Sequence, residues 1–157
     1  MGVSTLNEHL DTHITLIGEL LAQQGNQFVF LGETTNCSDC RLRGACLRLE
    51  INHLYEIHNV RDAVHPCKGV FAGKVRTVDV YEPLFDVALM DKIIIEGATV
   101  TFKKIQCTSI QCTNWNRTCN PFWLSEGEKL KVEAVSSEKI KCKDGNELQI
   151  ATVKRLN

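Results

Sequence analysis

Eight cysteines fall into two groups of four, and each group has three cysteines close together and a fourth far along the chain. The first group is Cys37, Cys40, Cys46 and Cys67, with the pattern Cx2Cx5Cx20C. The second is Cys107, Cys112, Cys119 and Cys142, with the pattern Cx4Cx6Cx22C. A chain built this way is constrained to form two similar sites, each closed by one distant cysteine.

The flanking sequence repeats with the cysteines. The segment 25–30 (GNQFVF) matches the segment 97–102 (GATVTF) at an interval of 72. Between the third and fourth cysteines, Tyr55, Ile57 and Val60 match Leu130, Val132 and Val135, and beyond the fourth cysteine Thr77-Val78 is matched to Thr152-Val153, both at an interval of 75. Self-similarity of this kind predicts a tandem repeat. We expect a leader of residues 1–13 and two units, 14–83 and 84–157, either separate or sharing one compact domain.

The apolar residues of each unit tend to alternate, as in Phe28 and Phe30 or Val100 and Phe102. A period of two indicates half-buried strands, and the turn around Gly127 before an alternating run is typical of small β-barrels. Asp144-Gly145 predicts a tight turn just after Cys142. Residues 16–24 and 84–95 fit either a strand or a short helix. The expected fold class is mainly β, or β-rich α+β, with two barrel-like units related by a pseudo-twofold axis.

Four cysteines per unit predict a metal site. The first dozen residues lack the basic start and apolar run of a secretory signal, and nowhere does the chain have an apolar run long enough for a membrane span. We therefore expect a cytoplasmic protein, where clustered cysteines bind metal more often than they form disulfides. The formal net charge of −1 excludes a general positive field for binding nucleic acid.

The spacing favours an iron–sulfur cluster over zinc. Structural zinc sites typically use two tight CxxC pairs, and only Cys37 and Cys40 form such a pair here. A [4Fe-4S] cluster takes one thiolate at each of four irons and tolerates looser spacing. Flanking cations would offset its negative charge; they are Arg41, Arg43 and Arg48 in the first unit and Lys139, Lys141 and Lys143 in the second. The expected cofactors are two [4Fe-4S] clusters, with two zinc ions as the alternative and His65 as a substitute ligand.

Two resemblances extend this interpretation. The segment Cys37 to Cys46 is similar to the CxxCx5C loop that holds a [4Fe-4S] cluster in some DNA glycosylases and in CRISPR-associated and recombination nucleases. Over residues 14–155 the chain resembles uncharacterized protein family 0179, found in archaea. The likeness is carried by residues 14–18 and 25–30, the two cysteine groups, Val60-Arg61-Asp62, His65-Pro66-Cys67, residues 73–76 and residues 96–99. This family is known chiefly for two cysteine clusters suggested to be iron–sulfur redox centres.

Two functions follow as hypotheses. With all four ligands cysteine, no iron is left open for substrate, and no catalytic constellation is found, so we expect electron transfer or redox sensing with a partner protein rather than an enzyme. The alternative is a zinc- or cluster-stapled β-barrel module that binds RNA or a protein. Its candidate partner-binding residues are Arg41, Arg43, Arg48, Trp115 and Trp123, because cations neutralise phosphates and aromatic rings stack on bases.

Overall fold

The computed structural model describes residues 10–69, 71, 73–90 and 93–157. By its internal contacts the chain divides between Pro83 and Leu84 into two compact units. Unit 1 has the strands β1 (His13–Gly18), β2 (Gln27–Val29), β3 (Leu54–Cys67) and β4 (Gly73–Tyr81), with a 3-10 helix (Thr35–Cys37) and helix α1 (Arg43–Cys46). Unit 2 has β5 (Phe85–Leu89), β6 (Thr99–Thr101), β7 (Lys129–Lys141) and β8 (Glu147–Arg155), with a π-helix (Trp115–Cys119).

Each unit is a four-stranded antiparallel sheet, and the strands follow the same order in both. The order is β1-β4-β3-β2 in unit 1 and β5-β8-β7-β6 in unit 2. The mainly β fold class is thus confirmed. In neither sheet are the two edge strands hydrogen-bonded to each other among the described residues, so these sheets are not closed as barrels. The helices of the described residues are short, and none is long and apolar enough to cross a membrane.

The backbone hydrogen bonds show that the repeat is structural. Gly25 N–H donates to Ile57 O at 2.8 Å, and Gly97 N–H donates to Val132 O at 2.7 Å. Both glycines have a positive φ, 86° and 84°, a conformation that glycine adopts without the steric penalty of a side chain. Gly25 and Gly97 are 72 residues apart, and Ile57 and Val132 are 75 apart. The intervals of 72 and 75 found in the sequence thus relate residues that make the same hydrogen bond in the two units.

The long strands β3 and β7 are irregular at the same places. Pairing of β3 with β4 shifts register between Ile57 and Asn59 and again between Val60 and Val64. Pairing of β7 with β8 shifts at the equivalent places, from Val132 to Ala134 and from Val135 to Lys139. Irregularities of this kind bend a strand and strengthen its twist. Both long strands therefore change direction before they reach the distant cysteine of their group.

One part of the sequence alignment is wrong. The match of Thr77-Val78 to Thr152-Val153 assumes an interval of 75, but Val78 pairs with Val60 and it is Ala151 that pairs with the equivalent Val135. The true interval after the fourth cysteine is 73, because 17 residues separate the paired Val60 and Val78 whereas 15 separate the equivalent pair Val135 and Ala151. Small apolar residues stand at every second position in both strands, Val78 and Val80 in β4 and Ala151 and Val153 in β8, so a shift of two residues leaves the apolar pattern unchanged.

The apolar cores match residue for residue. The buried core cluster of unit 1 is Ile17, Leu49, Tyr55, Ile57, Val78 and Val80. Their counterparts at intervals of 72, 75 and 73 are all in the core cluster of unit 2: Leu89, Leu124, Leu130, Val132, Ala151 and Val153. The core of unit 2 also contains Val87 and Phe102. The repeated apolar pattern thus places the same strand faces inward in each unit.

The structure also defines most of residues 16–24 and 84–95, for which the sequence allowed either a strand or a short helix. His13–Gly18 and Phe85–Leu89 are strands, and the residues after Gly18 form a turn in place of a helix. The predicted turn at Asp144-Gly145 is confirmed, with Gly145 at a φ of 84° and its N–H donating to Cys142 O at 2.9 Å. Of the predicted leader, residues 1–9 lie outside the described residues; within the segment 84–95, so do residues 91 and 92.

Candidate metal centres

The first group of cysteines is brought together by the loop between β2 and β3 and by the end of β3. Cys37 ends the 3-10 helix, Cys46 ends α1, and Cys40 lies in the turn between them. Cys67 is the last residue of β3. Successive turns fold the loop, since Cys40 N–H donates to Cys37 O at 3.1 Å and Cys46 N–H donates to Leu42 O at 2.9 Å.

The second group follows the same plan with different turns. Cys119 ends the π-helix, and Cys142 directly follows β7. Cys107 and Cys112 lie in the preceding loop, where Cys112 N–H donates to Ser109 O at 2.9 Å. The π-helix lets Cys119 N–H reach Asn114 O, five residues back, at 3.0 Å. This wider turn accommodates the longer spacing of the second group.

Each group of four lines one cavity. The first cavity, of about 740 Å³, is lined by Cys37, Cys40, Cys46 and Cys67 together with His65. The second, of about 680 Å³, is lined by Cys107, Cys112, Cys119 and Cys142 together with Trp115. Both volumes lie in the range of roughly 300–1,000 Å³ that is usual for ligand and cofactor sites. All eight cysteines are free of disulfide bonds.

The four cysteines of each group line a common cavity without converging on one point. Within the described part of the chain, no three cysteine, histidine or acidic side chains are gathered closely enough to hold a single metal ion. Even so, the Cys46 thiol interacts electrostatically with Cys40, Cys67 and Cys37, and Cys119 interacts with Cys112, Cys107 and Cys142. The arrangement is four sulfurs around a common cavity in each unit.

One backbone N–H donates to a sulfur in each centre, from the second residue after the cysteine. Gly69 N–H lies 3.4 Å from Cys67 Sγ, and Ser109 N–H lies 3.4 Å from Cys107 Sγ. Gly69 also sits between sulfurs, because a Cβ atom at that position would lie 3.7 Å from Cys37 Sγ and 3.8 Å from Cys67 Sγ. Donors of this type stabilise a thiolate and tune a bound cluster.

Burial opposes thiolate formation at the third cysteine of each group. It raises the pKa of Cys46 to about 11, with a further contribution from the other three thiols. Burial also raises the pKa of Cys119, although a hydrogen bond with Thr118 acts in the opposite direction. At Cys37 the Thr34 hydroxyl, 3.4 Å from the sulfur, lowers the pKa. A metal that binds here must displace protons from the buried thiols.

The three arginines predicted near the first centre have different surroundings. Arg41 and Arg43 line the first cavity. The Arg43 guanidinium donates to Glu33 Oε2 at 2.8 and 3.0 Å, so its charge is already neutralised by a carboxylate. Arg48 Nε donates to Gly44 O at 3.0 Å across the end of α1. Among the described residues, the three arginines do not share one acidic partner.

The two tryptophans of unit 2 have different surroundings. Trp115 lines the second cavity, and its Nε1–H donates to Cys107 O at 3.4 Å. Trp123 packs against the core cluster instead, with its ring centroid 4.6 Å from that of Phe85 and the Arg155 guanidinium 5.6 Å from its own centroid. The structure therefore brings Trp115 to the second centre and places Trp123, half-buried, against the core.

Several residues at the sites were missed by the sequence reasoning. Gly69 and Ser109 share a signal, because each is the second residue after a cysteine, where its N–H reaches the sulfur. Asp144 accepts hydrogen bonds from the Thr108 N–H at 3.2 Å and the Thr108 hydroxyl at 3.4 Å. Hydrogen bonds from Cys107 and Thr108 lower the pKa of Asp144. Nothing in the sequence identified this contact, which joins residues far apart along the chain.

Known proteins similar to the chain cover nearly all of it. Residues 13–153 match the model of an Uncharacterised protein family (UPF0179). A UPF0179 protein of Methanococcus aeolicus is 39% identical over 94% of this chain and 100% of its own length. Others from Thermoplasma acidophilum and Methanocaldococcus jannaschii are 38% and 36% identical over 87% and 88% of the chain and 91% of their own lengths. No solved structure matches the chain. The resemblance of the whole chain to this family is confirmed, and the chain belongs to the family UPF0179.

Proposed function

We propose that the protein binds two iron–sulfur clusters, one in each unit, and uses them to transfer electrons or to sense redox state. The observation that supports this most is the pair of cavities, each lined by four free cysteines. Cysteine thiolates are the usual ligands of such clusters. Since the two cavities recur on the same strand frame, the proposal applies to both units.

The arrangement of the sulfurs favours a cluster over a zinc ion. Zinc draws four sulfurs to about 2.3 Å from one atom, whereas a cubane cluster keeps them apart on four different irons. Among the described residues the thiols border a cavity without converging, and only the first group contains a CxxC pair. Four cysteines that line one cavity without converging are compatible with a cluster of several atoms.

The surrounding residues have identifiable parts in such a centre. A bound cluster would accept and release one electron at a time. Gly69 and Ser109 donate hydrogen bonds to ligand sulfurs and so stabilise negative charge. Trp115 and the apolar cluster that contains Cys119, Ile105 and Leu148 exclude water from one side of the second centre. Burial and hydrogen bonding are the properties by which a protein sets a cluster potential.

The test is film voltammetry of anaerobically purified protein. We expect a brown preparation and at least one reversible wave, at a potential in the range of roughly −700 to +450 mV open to such centres. The variants Cys67→Ser and Cys142→Ser serve as matched controls, each removing the fourth ligand of one centre. A colourless protein with zinc in both sites, or centres that never change redox state, would contradict the proposal.

A zinc- or cluster-stapled module that binds RNA is the second candidate. Residues 97–125 contain no acidic residue and include Lys103, Lys104 and Arg117, a composition suited to phosphate contacts. Phe122 in the same segment is 71% exposed. Binding of this kind weakens with salt by a slope of about 0.7 per neutralised phosphate on single strands. Tight binding of an RNA oligomer with that dependence, together with redox-silent centres, would favour this function.

A further inference from the structure

The two centres differ in how their ligands meet solvent. Cys112 is the one exposed cysteine among the eight, all of which the structure describes, whereas Cys119, in the same centre, is buried. All four cysteines of the first centre are intermediate in exposure. An electron reaches a partner most directly through the ligand that faces it. The exposed Cys112 therefore gives the second centre one side that faces solvent, while apolar residues pack around Cys119.

The surface around Cys112 has a distinct chemistry. Ile110, two residues away, lines the same cavity and is 69% exposed. Lys141 and Lys143 line the cavity on either side of Cys142, and neither has an ion-pair partner among the described residues. No carboxylate of the described residues lines this cavity, whereas Asp39 lines the first one. The patch of Ile110, Cys112, Lys141 and Lys143, here called the port, has an apolar centre and a cationic rim.

Two acidic groups lie near this cavity without lining it. Asp144 accepts hydrogen bonds from Cys107 and Thr108 and lines a neighbouring cavity that shares these two residues with the second one. Glu147 lies 3.6 Å from the Lys139 ammonium. The first cavity is lined by Arg41, Arg43 and Lys68 but also by Asp39, and Arg43 is paired with Glu33. The second centre differs in that no carboxylate of the described residues lines its cavity and one of its cysteines is exposed.

We propose that the port is where the protein exchanges electrons, and that its partner is a one-electron carrier protein with an acidic face. This inference rests on the proposed function. Ligand thiolates and a cluster carry excess negative charge, so an acidic partner would be repelled without Lys141 and Lys143. Opposite charges on two surfaces raise the encounter rate and fix orientation. A cluster held by the second group of cysteines would give up one electron and the partner would gain it, with no bond made or broken.

Small redox reagents of opposite charge test the port. The reduced protein is mixed with ferricyanide, an anion, and separately with hexaammineruthenium(III), a cation, and the cluster absorption is followed at low and high salt. The variant K141E/K143E should react about tenfold more slowly with ferricyanide at low salt and faster with hexaammineruthenium. The difference should shrink at high salt because ions screen the rim. Recovery of the absorption after re-reduction checks that the oxidation is reversible.

The matched control is K131E/K154E, which reverses the charge of two lysines directly opposite each other on β7 and β8 that line neither cavity. It changes the net charge equally and should alter the ferricyanide rate less than twofold. A third variant, R41E/R48E, places the same change near the first centre. Equal slowing by K131E/K154E, or greater slowing by R41E/R48E, would overturn the proposal.

A second readout does not depend on electron transfer. Hexacyanocobaltate(III), a redox-inert anion with the charge and shape of ferricyanide, should bind the wild-type protein in calorimetry and bind K141E/K143E several-fold more weakly. Unchanged binding would overturn the proposal. A second outcome would also overturn it: K141E/K143E keeps its ferricyanide rate but loses salt-dependent binding of a single-stranded RNA oligomer. The two lysines would then bind a nucleic acid. If no reagent oxidises or reduces either centre, the proposed function fails with the port.

Discussion

Unit 1 and unit 2 share one strand frame but surround their cysteines differently. In unit 1 the loop folds into a 3-10 helix and α1, and its charged residues are of both signs. In unit 2 the loop is longer, contains a π-helix, and has one exposed and one buried cysteine. The comparison teaches that a shared sheet topology places each group of cysteines at equivalent positions, while the loops determine the polarity and exposure of each site.

The largest expected effect comes from removing one fourth ligand at a time. Because metal binding contributes to folding free energy, Cys67→Ser should increase hydrogen exchange in residues 25–80 far more than in residues 97–155. Cys142→Ser should give the reverse pattern and leave the first centre loaded. Hydrogen exchange that rises equally in both units, for either variant, would show that the units do not fold around separate centres.

A large effect is also expected from equivalent core leucines. Leu49 and Leu124 occupy the same place in the two cores and are 6% and 0% exposed. Truncation to alanine leaves a cavity and costs about 2–5 kcal/mol. We expect each variant to destabilise its own unit, with Leu124→Ala the more severe, as measured by hydrogen exchange under mild denaturant. Global unfolding in a single step for both variants would show that the units unfold together.

The strand frame was accessible from the sequence because alternation and repetition record which faces are buried. Both the glycines that precede β2 and β6 and the paired core positions follow from that pattern. The interval after the fourth cysteine was not accessible, since a shift of two residues leaves alternation intact and Thr77-Val78 still resembles Thr152-Val153. The eight cysteines were found by spacing alone. The Asp144–Thr108 contact and the exposure of Cys112 were not, because they depend on loop conformation.

An effect of intermediate size is expected in how the stability of each unit depends on pH. In unit 1 the Arg61 guanidinium donates to both oxygens of Asp79, at 2.7 and 2.9 Å, and lowers the pKa of that carboxyl, with help from Asn59. In unit 2 the residue equivalent to Asp79 is Thr152, which bonds to Asp86. Asp79→Asn should destabilise unit 1 by about 1–3 kcal/mol at neutral pH.

The sign of the pH dependence follows from the lowered pKa. Stabilisation by ionised Asp79 is present above the pKa of the unfolded chain and is lost as pH falls through the lower pKa of the folded state. The wild-type unit 1 should therefore lose stability in acid, and Asp79→Asn should reduce that loss while leaving unit 2 unchanged. Denaturant titrations at several pH values measure this; an unaltered acid dependence in Asp79→Asn would assign it to other groups.

The smallest effect concerns the turn before β3 and β7. Asn52 and Gly127 are equivalent and have φ values of 63° and 93°. No atom of the described residues lies within 4 Å of a Cβ built at Gly127, so Gly127→Ala should cost only the backbone penalty of about 1–2 kcal/mol. Asn52→Gly should change stability by less, since both residues tolerate this conformation. Equal and large losses in chemical denaturation would indicate that side chains at this turn matter.

The most direct measurement for the central claim is the iron, sulfide and zinc content per chain of protein purified without oxygen. Two four-cysteine centres of the cubane type predict about eight iron atoms and about eight inorganic sulfides, with little zinc. Cys67→Ser and Cys142→Ser should each lose about half of the iron. Two zinc ions per chain and no sulfide, under the same conditions, would contradict the account.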